Sequence, residues 1–494
     1  MSPAARLRRE HHHEADVVVV GAGVFGCAMA FALANQGRSV LLLERRMAEP
    51  DRIVGELLQP GGLAALRRLG LGHCVDGIDS IPCHGYHVVY RGQPVDIPYP
   101  PVGDDGDIAC KWSGAASEGK RPQGRGFHHG RFIMRLRESC LAHDNITVVE
   151  TDVTKLVRGQ HVGQILGVEA RTLDKESAGE RRSDYFFGNL TVIADGYDSK
   201  FRRQVVEEKP LVRSKFYALE LIDCPLPREQ FGLVVIGEAY PMVLYQIGAR
   251  ETRVLIDVPV GLPAASPAAG GVRGYIRNVA IPAMPAAVRP AAELALGDGK
   301  IPRSMPNSWL PASPQSADGL VLAGDAFNMR HPLTGGGMTV ALHDAILLAD
   351  LLHPDRLPRG LGDAQAVRTA VHTFYWRRKN CSSIINVLAQ ALYTLFAADD
   401  RQLRALQRGC FEYFRLGVTD GPCALLGGIL HQPSVLAYHF FSVAFLAIWL
   451  NGVAVVGKGP YAPLRMPLVL VDAVLILSRA SQVFLPLIWR EGFR

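Results

Sequence analysis

The sequence predicts an α/β fold in which a parallel-sheet, nucleotide-binding domain is interleaved with a second, β-sheet-containing domain and followed by an α-helical tail. Three observations predict it. A β-branched run at residues 16–20 leads directly into Gly21, Gly23 and Gly26. A second glycine-rich turn, Gly335–Gly336–Gly337, opens another helix about 300 residues further on. Two strongly apolar stretches, residues 435–456 and 468–488, come near the end of the chain.

The elements follow in order. Residues 16–20 form a buried strand, and a helix runs over about 27–35 until Gly37 stops it. Residues 39–43 form a second strand with Glu44 at its end, which completes one βαβ unit. Residues 104–126, rich in Gly, Asp, Lys and Ser and without a period, read as an exposed loop. A strand at 190–194 precedes Asp195–Gly196. Residues 261–290, dominated by Ala, Pro and Gly, read as a loose connection. A buried strand at 319–323 ends at Gly324–Asp325, and a helix covers 339–352. From about residue 366 the chain reads as mainly helical. The apolar stretches are each long enough to cross a bilayer core. His439 and Asn451 interrupt the first, Asp472, Arg479 and Gln482 the second, and Pro460, Pro463 and Pro467 crowd the link. Such interruptions favour helices lying in one leaflet, with Trp449, Trp489 and Arg490 at headgroup level. The plainer alternative is a buried helical hairpin.

Bulk composition narrows the classes. A 494-residue chain with 48% hydrophobic and 20% charged residues is a folded protein with more than one core. The net charge of +6 suits an anionic cofactor and an anionic membrane face without demanding either. No dense Lys/Arg block is interleaved with aromatics, so nucleic acid is excluded as a partner. The 9 cysteines are odd in number and form no CxxC pair; Cys27, Cys74 and Cys140 fall in helical stretches. Reduced, buried thiols and a cytosol-facing location follow. Arg6, Arg8 and Arg9 precede His11, His12 and His13 with no apolar run, which reads as a flexible, solvated tail without a secretory signal.

Gly21, Gly23 and Gly26 form GxGxxG after a strand and before a helix. The first glycine permits the tight turn, the second lets backbone approach a pyrophosphate, and the third lets helix and strand pack closely. Glu44 stands where a carboxylate accepts the ribose hydroxyls of an adenosine, while Arg45 beside it leaves a 2′-phosphate open. The fingerprint alone does not separate FAD from NAD(P). The distant Gly324–Asp325 and the turn from His331 to Met338 do: Asp325 can bond a ribityl hydroxyl, and free N–H groups at the helix start suit the anionic N1–O2 edge of a reduced flavin.

These residues carry a resemblance. The pair GxGxxG…E and GD…P…GGGM resembles the flavoprotein hydroxylases. Longer strings resemble the squalene epoxidases: Val54–Gly55–Glu56–Leu57–Leu58–Gln59–Pro60–Gly61–Gly62, Phe127–His128–His129–Gly130–Arg131–Phe132–Ile133, the run from Gly324 to Met338, and Trp376–Arg377–Arg378–Lys379 leading to Ile385–Asn386–Val387–Leu388. The resemblance spans about residue 16 to the apolar tail. Phe327 stands where that family commonly has Tyr, and an N-terminal hydrophobic anchor of some members is absent.

The resemblance implies a Rossmann-type FAD-binding domain (1–46, 128–202 and 314–366), a β-sheet-containing substrate domain (47–127 and 203–313) and a C-terminal α-helical membrane-associated domain (367–494). Gly21, Gly23, Val24, Phe25 and Gly26 would hold FAD, with Glu44 and Arg45 at its adenosine half. Arg52 and Arg131 match cofactor-contacting arginines, Val153 would offer backbone atoms to the adenine, and Asp325 and Met338 would bracket the flavin. Asp195–Gly196 matches the DG motif of flavin hydroxylases. Tyr86 and Gln59, the catalytic-site pair, match residues near flavin and substrate, and a hydrogen bond from Tyr86 to Gln59 would shape the cavity.

Squalene offers nothing to ionise, so no acid–base dyad is expected. The implied oxidant is a flavin C4a-hydroperoxide, in a dry apolar tunnel that takes its substrate from lipid. A second nucleotide fingerprint is missing, so electrons would come from NADPH through a partner, NADPH–cytochrome P450 reductase. The product would be 2,3-oxidosqualene, made at the endoplasmic reticulum membrane. Rival readings are another flavin hydroxylase, an isoprenoid double-bond reductase, and a silent flavoprotein that binds sterol precursors.

Overall fold

The computed structural model describes residues 3–102, 120–160, 163–173, 181–237, 239–297, 299, 301–456 and 466–493. Two large sheets organise them. In the first, Glu14–Val20 lies parallel between Val40–Glu44 and Arg181–Ile193, with Ile146–Arg158 and Leu320–Leu322 outside them. Ile165–Leu173 pairs antiparallel with the strands on both sides of it. Helices cover this sheet, so Val17, Val18, Val19, Leu41 and Leu42 are wholly buried and the strands read as unbroken apolar runs. The Val24–Asn35 helix packs against both Gly337–Leu351 and His129–Leu141. Its small side chains at Cys27, Ala28 and Ala30 are fully buried, which lets the two glycine-opened helices lie side by side.

The second sheet runs Ser304–Trp309, Leu211–Ile222, Glu251–Pro259, Met242–Gln246, Gly232–Ile236, Gly85–Tyr90, Gln93–Pro98. Alternation along Gly232–Ile236 sends Leu233 and Val235 to one face and Val234 and Ile236 to the other. The first face is covered by residues 271–296. These are not a loose connection: Gly271–Tyr275, Ile276–Ala280, Ile281–Ala283 and Arg289–Leu296 are helical. Tyr275, Ile276, Ala280, Met284, Val288 and Ala292 recur at about every fourth position and are buried on the sheet. The opposite face meets the glycine-rich turn and the tail helices through Leu333, Tyr393 and Cys423.

Two further expectations need correction. The N-terminal segment is not a solvated tail. Pro3–His12 is a helix, and Arg9 is buried, donating to the Asp144 carbonyl (2.6 Å) and to Thr147 Oγ1 (3.1 Å). His13 Nδ1 is 2.9 Å from Asp184. Most of the expected loop at 104–126 lies outside the described residues, but Gly124–Gly126 is a strand between Leu57–Leu58 and Ile81–Cys83. The 8 cysteines among the described residues are free thiols, as expected.

The tail is helical: Lys379–Phe396, Arg401–Arg415, Asp420–Leu426, Pro433–Val456 and Met466–Ile488. Asp400 caps the second of these by accepting from Leu403 N–H at 2.7 Å. The last two helices pair through Ala444, Ala447, Ile476 and Ala480, and the Phe440 and Phe484 rings stack at 3.9 Å. The polar residues that interrupt them face protein partners. Asn451 donates to Asp472 (3.1 Å), Arg479 pairs with Asp400 (2.8 Å), and His439 meets Tyr413 (2.8 Å). Phe445, Trp449, Leu468, Leu470, Val471, Val474 and Trp489 are left exposed. A buried hairpin is thereby excluded. The two helices, Pro433–Val456 and Met466–Phe493 with its final turn, are long and apolar enough to cross a membrane, and their outward apolar surface is one for membrane association.

Candidate active site

The first glycine loop is built as its spacing predicts. Gly21 takes a φ of +102°, and a Cβ there would lie 2.4 Å from the Ala194 carbonyl oxygen. A Cβ on Gly26 would lie 1.8 Å from the Gly21 oxygen. Around Gly23 nothing comes within 4 Å of a notional Cβ. The Val24–Asn35 helix starts there with no side-chain cap, so its first N–H groups face open space. Glu44 accepts from Ala22 N–H (2.8 Å) and Arg46 N–H (3.1 Å), which ties the loop to the end of the neighbouring strand. Arg137, buried beneath the loop, donates to Ala22, Arg46 and Ala48 carbonyls and lies 3.5 Å from Glu44.

The second stretch is brought to the same place. Gly324 has a φ of +58°, and a Cβ on it would lie 3.2 Å from Phe25 Cβ of the first loop. The buried Arg202 guanidinium donates to Ala326 (2.8 Å) and Asp325 (3.0 Å) carbonyls and also to those of Tyr197 (2.8 Å) and Gly196 (3.3 Å). One side chain therefore holds the DG turn against the GD turn. Asp195 accepts from Lys200 N–H (3.0 Å), while its buried Oδ1 has no partner among the described residues, and burial pushes its carboxyl up. Asp325 is exposed in the cleft that these turns form.

The Gly337–Leu351 helix repeats the logic of the first. Its start has no side-chain cap, nothing lies within 4 Å of a Cβ on Gly337, and Met338 is buried in its first turn. The buried Oγ1 atoms of Thr334 and Thr339 have no partner among the described residues. Two open, uncapped helix starts on helices packed side by side, with the orphaned Thr334 hydroxyl just before the second, fit a flavin dinucleotide: phosphates at Gly23 and a ring edge at Gly337.

Tyr86 and Gln59 do meet, though the amide donates. Gln59 Nε2 gives hydrogen bonds to Tyr86 Oη (2.5 Å) and the Thr334 carbonyl (2.8 Å), and Gln59 Oε1 accepts from Tyr99 (2.6 Å). The Thr334 carbonyl can only accept, which fixes which end of the amide faces it. All three side chains are buried, and burial pushes both phenols far above their ordinary range. They stay neutral. Leu57, Tyr86, Tyr99, Leu333, Tyr393 and Cys423 form a continuous apolar cluster around this amide. Below it Glu56 and Arg253 form a buried bidentate pair (2.8 and 2.9 Å). Burial pushes the Glu56 carboxyl up and Arg253 opposes it.

The remaining candidates stand further out. Arg45 is exposed. Arg52 lies 5.5 Å over the Tyr197 ring, beside the DG turn. Arg131, in the first turn of the His129–Leu141 helix, is 4.0 Å from Asp79 in a loose surface ion pair. Val153 is buried within its strand opposite Ala170. A surface cleft of about 250 Å³, lined by Val205, Val206, Glu207, Glu208, Pro311 and Arg490 among others, includes none of the glycine-turn residues. Sequence reasoning missed Tyr99, Arg137 and Arg202. Each makes at least one contact 40 or more residues away in sequence, and no local pattern marks them.

This is the fold and cleft of a flavin-dependent monooxygenase. Solved structures agree on the fold: a probable FAD-dependent monooxygenase from Pseudomonas aeruginosa (TM-score 0.59, 22% identity, covering 79% of this chain and 98% of that one) and the flavin-dependent brominase Bmp2 (TM-score 0.64, 15% identity, 86% and 97%). Residues 16–50 match the FAD dependent oxidoreductase family model, and residues 187–459 match the squalene epoxidase model. The chain is 64% identical to a squalene epoxidase of Gibberella zeae, covering 99% of this chain and 98% of that protein. It is 51% identical to one of Aspergillus fumigatus (99% and 96%) and 40% identical to squalene epoxidase 3 of Arabidopsis thaliana (97% and 85%). The chain belongs to the squalene epoxidase family.

Proposed function

We propose that this chain converts squalene, O2, NADPH and a proton to 2,3-oxidosqualene, water and NADP+, in the (S) configuration, as a step of sterol synthesis. The observation that carries the reading is the single cleft: Phe25 packs the first glycine loop against Gly324, about 300 residues further on, Arg202 ties the Gly324–Asp325 turn to the Asp195–Gly196 turn, and the Gln59 amide joins the Thr334 turn to an apolar cluster.

FAD bound there would supply the redox chemistry and the activation of oxygen. Gly21, Gly23, Val24, Phe25 and Gly26 would hold its pyrophosphate, with Glu44 and Arg45 at the adenosine, Arg52 and Arg131 at the rim, and Val153 by the adenine. Asp325 would bond the ribityl chain, and the free N–H groups beside Met338 would face the ring edge. The rest is positioning. An alkene gives no proton and takes none, so the chain's side chains orient it and exclude water. Gln59, held by Tyr86, Tyr99 and Thr334, fixes the wall between turn and cluster. Neutral phenols and a neutral amide suit a surface that meets hydrocarbon. The 1–46, 128–202 and 314–366 segments would serve as the FAD-binding domain, 47–127 and 203–313 as the substrate domain, and 367–494 as the membrane-associated domain. Electrons would arrive from NADPH through NADPH–cytochrome P450 reductase on the cytosolic face of the endoplasmic reticulum, where the apolar tail draws squalene from lipid.

The test is incubation of the purified, FAD-loaded chain with NADPH, that reductase and labelled squalene. The reading requires oxygen-dependent formation of 2,3-oxidosqualene. Bound flavin without epoxide, or a reduced isoprenoid formed without oxygen, would refute it.

A further inference from the structure

A cluster outside the flavin cleft gathers three metal-ligating side chains. His343 comes from the Gly337–Leu351 helix, Cys381 from the Lys379–Phe396 helix, and His431 from the connection between Asp420–Leu426 and Pro433–Val456. One ligating atom from each lies within 4.8 Å of the other two. The imidazole rings stand edge to face, with centroids 5.2 Å apart.

The hydrogen bonding of this cluster is incomplete. The Gly61 backbone carbonyl lies beside the His343 ring, and that of Gly428 beside the His431 ring. A neutral ring has a single N–H, and a bond to a carbonyl uses it, so the other nitrogen presents a lone pair. Both Nε2 atoms are buried and have no hydrogen-bond partner among the described residues. Two lone pairs therefore face one thiol, whose single proton can serve only one of them. An imidazole whose far nitrogen is pinned by a backbone carbonyl is also the arrangement that orients histidine ligands toward a metal.

We infer that His343 Nε2, Cys381 Sγ and His431 Nε2 form a binding site for a zinc(II)-class ion, with a fourth position left for water. Two imidazoles and a thiolate are the donors a borderline-soft ion selects. Bonds of about 2.0–2.1 Å to nitrogen and 2.3 Å to sulfur place tetrahedral ligand atoms roughly 3.3–3.6 Å apart, so atoms now within 4.8 Å of one another must draw together by at most about 1.5 Å. All three residues are half-buried, although the ligating nitrogens themselves are shielded from solvent. On binding, the Sγ–H bond breaks, an Sγ–Zn bond forms and the proton leaves to solvent; no oxidation state changes.

The position suggests what the ion does. Gly61 N–H donates to the Gly427 carbonyl at 2.9 Å, and a Cβ on Gly61 would lie 2.0 Å from the Gly428 oxygen. The ligands thus join the glycine-opened helix to the helical tail, beside a close backbone contact between the segment carrying Gln59 and that tail. An ion there clamps the tail onto the cleft and serves structure, not redox chemistry.

The experiment uses the full-length, FAD-loaded protein in detergent, stripped with chelator and then titrated with zinc(II) against a chromophoric chelator, with metal and flavin both quantified. One zinc per chain is expected, together with a higher melting temperature. Cobalt(II) in its place should give a thiolate-to-metal charge-transfer band that Cys381→Ser removes. His343→Gln and His431→Gln should each weaken zinc binding by about tenfold or more, with flavin absorbance reporting that the variants remain folded. Wild-type protein that takes up no more zinc than the His343→Gln/His431→Gln double variant, or that shows no charge-transfer band with cobalt(II), would overturn the assignment.

Discussion

Replacing Gln59 by leucine should loosen the cleft wall by more than any change of volume accounts for. The two side chains are similar in size, so little cavity forms. What is lost is the pairing of three buried groups, Tyr86 Oη, Tyr99 Oη and the Thr334 carbonyl, now at 2.5, 2.6 and 2.8 Å from the amide. A buried polar group left unpaired costs about 1–3 kcal/mol. The Tyr86 and Tyr99 rings stand edge to face at 6.0 Å, so their hydroxyls can partly re-pair. A net loss of about 2–5 kcal/mol follows. Tyr99→Phe, which strips only Gln59 Oε1, should cost about 1–2 kcal/mol. The assay is denaturant unfolding of the flavin-loaded protein, read as a double-mutant cycle. Because both changes break the same bond, the double variant should fall short of the sum by about 1 kcal/mol or more. Additivity within about 0.3 kcal/mol would show that the two side chains do not act together.

Three further outcomes follow from the same geometry. Gly26→Ala should abolish flavin retention and lower expression, because its Cβ meets the Gly21 oxygen at 1.8 Å, whereas Gly23→Ala should fold normally yet bind flavin poorly, since its methyl enters only the open cradle; equal folding defects in the two would refute this. Arg378→Ala leaves Asp344 buried and unpaired after losing contacts of 2.7–3.1 Å, and should cost about 3–5 kcal/mol in unfolding experiments, with Asp344→Asn/Arg378→Met much milder. His129 is buried, bonded to the Gly55 carbonyl at 2.9 Å, and lowered by burial to about 4. The unfolded chain takes up that proton near pH 6.5 and the folded one only near 4, so stability should fall as pH drops through that window, by on the order of 3 kcal/mol in all. His129→Gln should flatten the decline between pH 6.5 and 4, and an unchanged profile would assign the acid sensitivity elsewhere.

Much of the cleft was legible because glycine marks places where a side chain cannot fit. Gly21, Gly26 and Gly324 announce their turns in sequence; the helix expected from about residue 27 starts at Val24, and the one expected from residue 339 starts at Gly337. The helical pieces within 271–296 were hidden for the opposite reason. Their glycines and prolines argue against helix locally, but buried apolar side chains at about every fourth position outweigh that preference once a sheet face is there to cover. The N-terminal helix likewise depends on Arg9 finding the Asp144 carbonyl and Thr147, which no window of sequence contains. Arg202 is the clearest case. It looks like any surface arginine, and becomes the clasp between two turns only when Arg181–Ile193 and Leu320–Leu322 pair in parallel. The tail's polar residues interrupt its apolar pattern in sequence; in the fold Asp472, Asn451 and Arg479 pair with protein and leave the outer surface apolar.

Flavin occupancy of Asp325→Ala tests most directly whether the distant turn and the N-terminal fingerprint grip one cofactor. The Asp325 side chain is exposed, and its carboxylate makes no hydrogen bond to another described residue, so the fold should survive its removal. Loss of one charge-assisted hydrogen bond of about 1.5–3 kcal/mol predicts flavin binding about 10–150-fold weaker, seen as lost visible absorbance after gel filtration. Full retention of flavin by a folded Asp325→Ala protein would contradict the account.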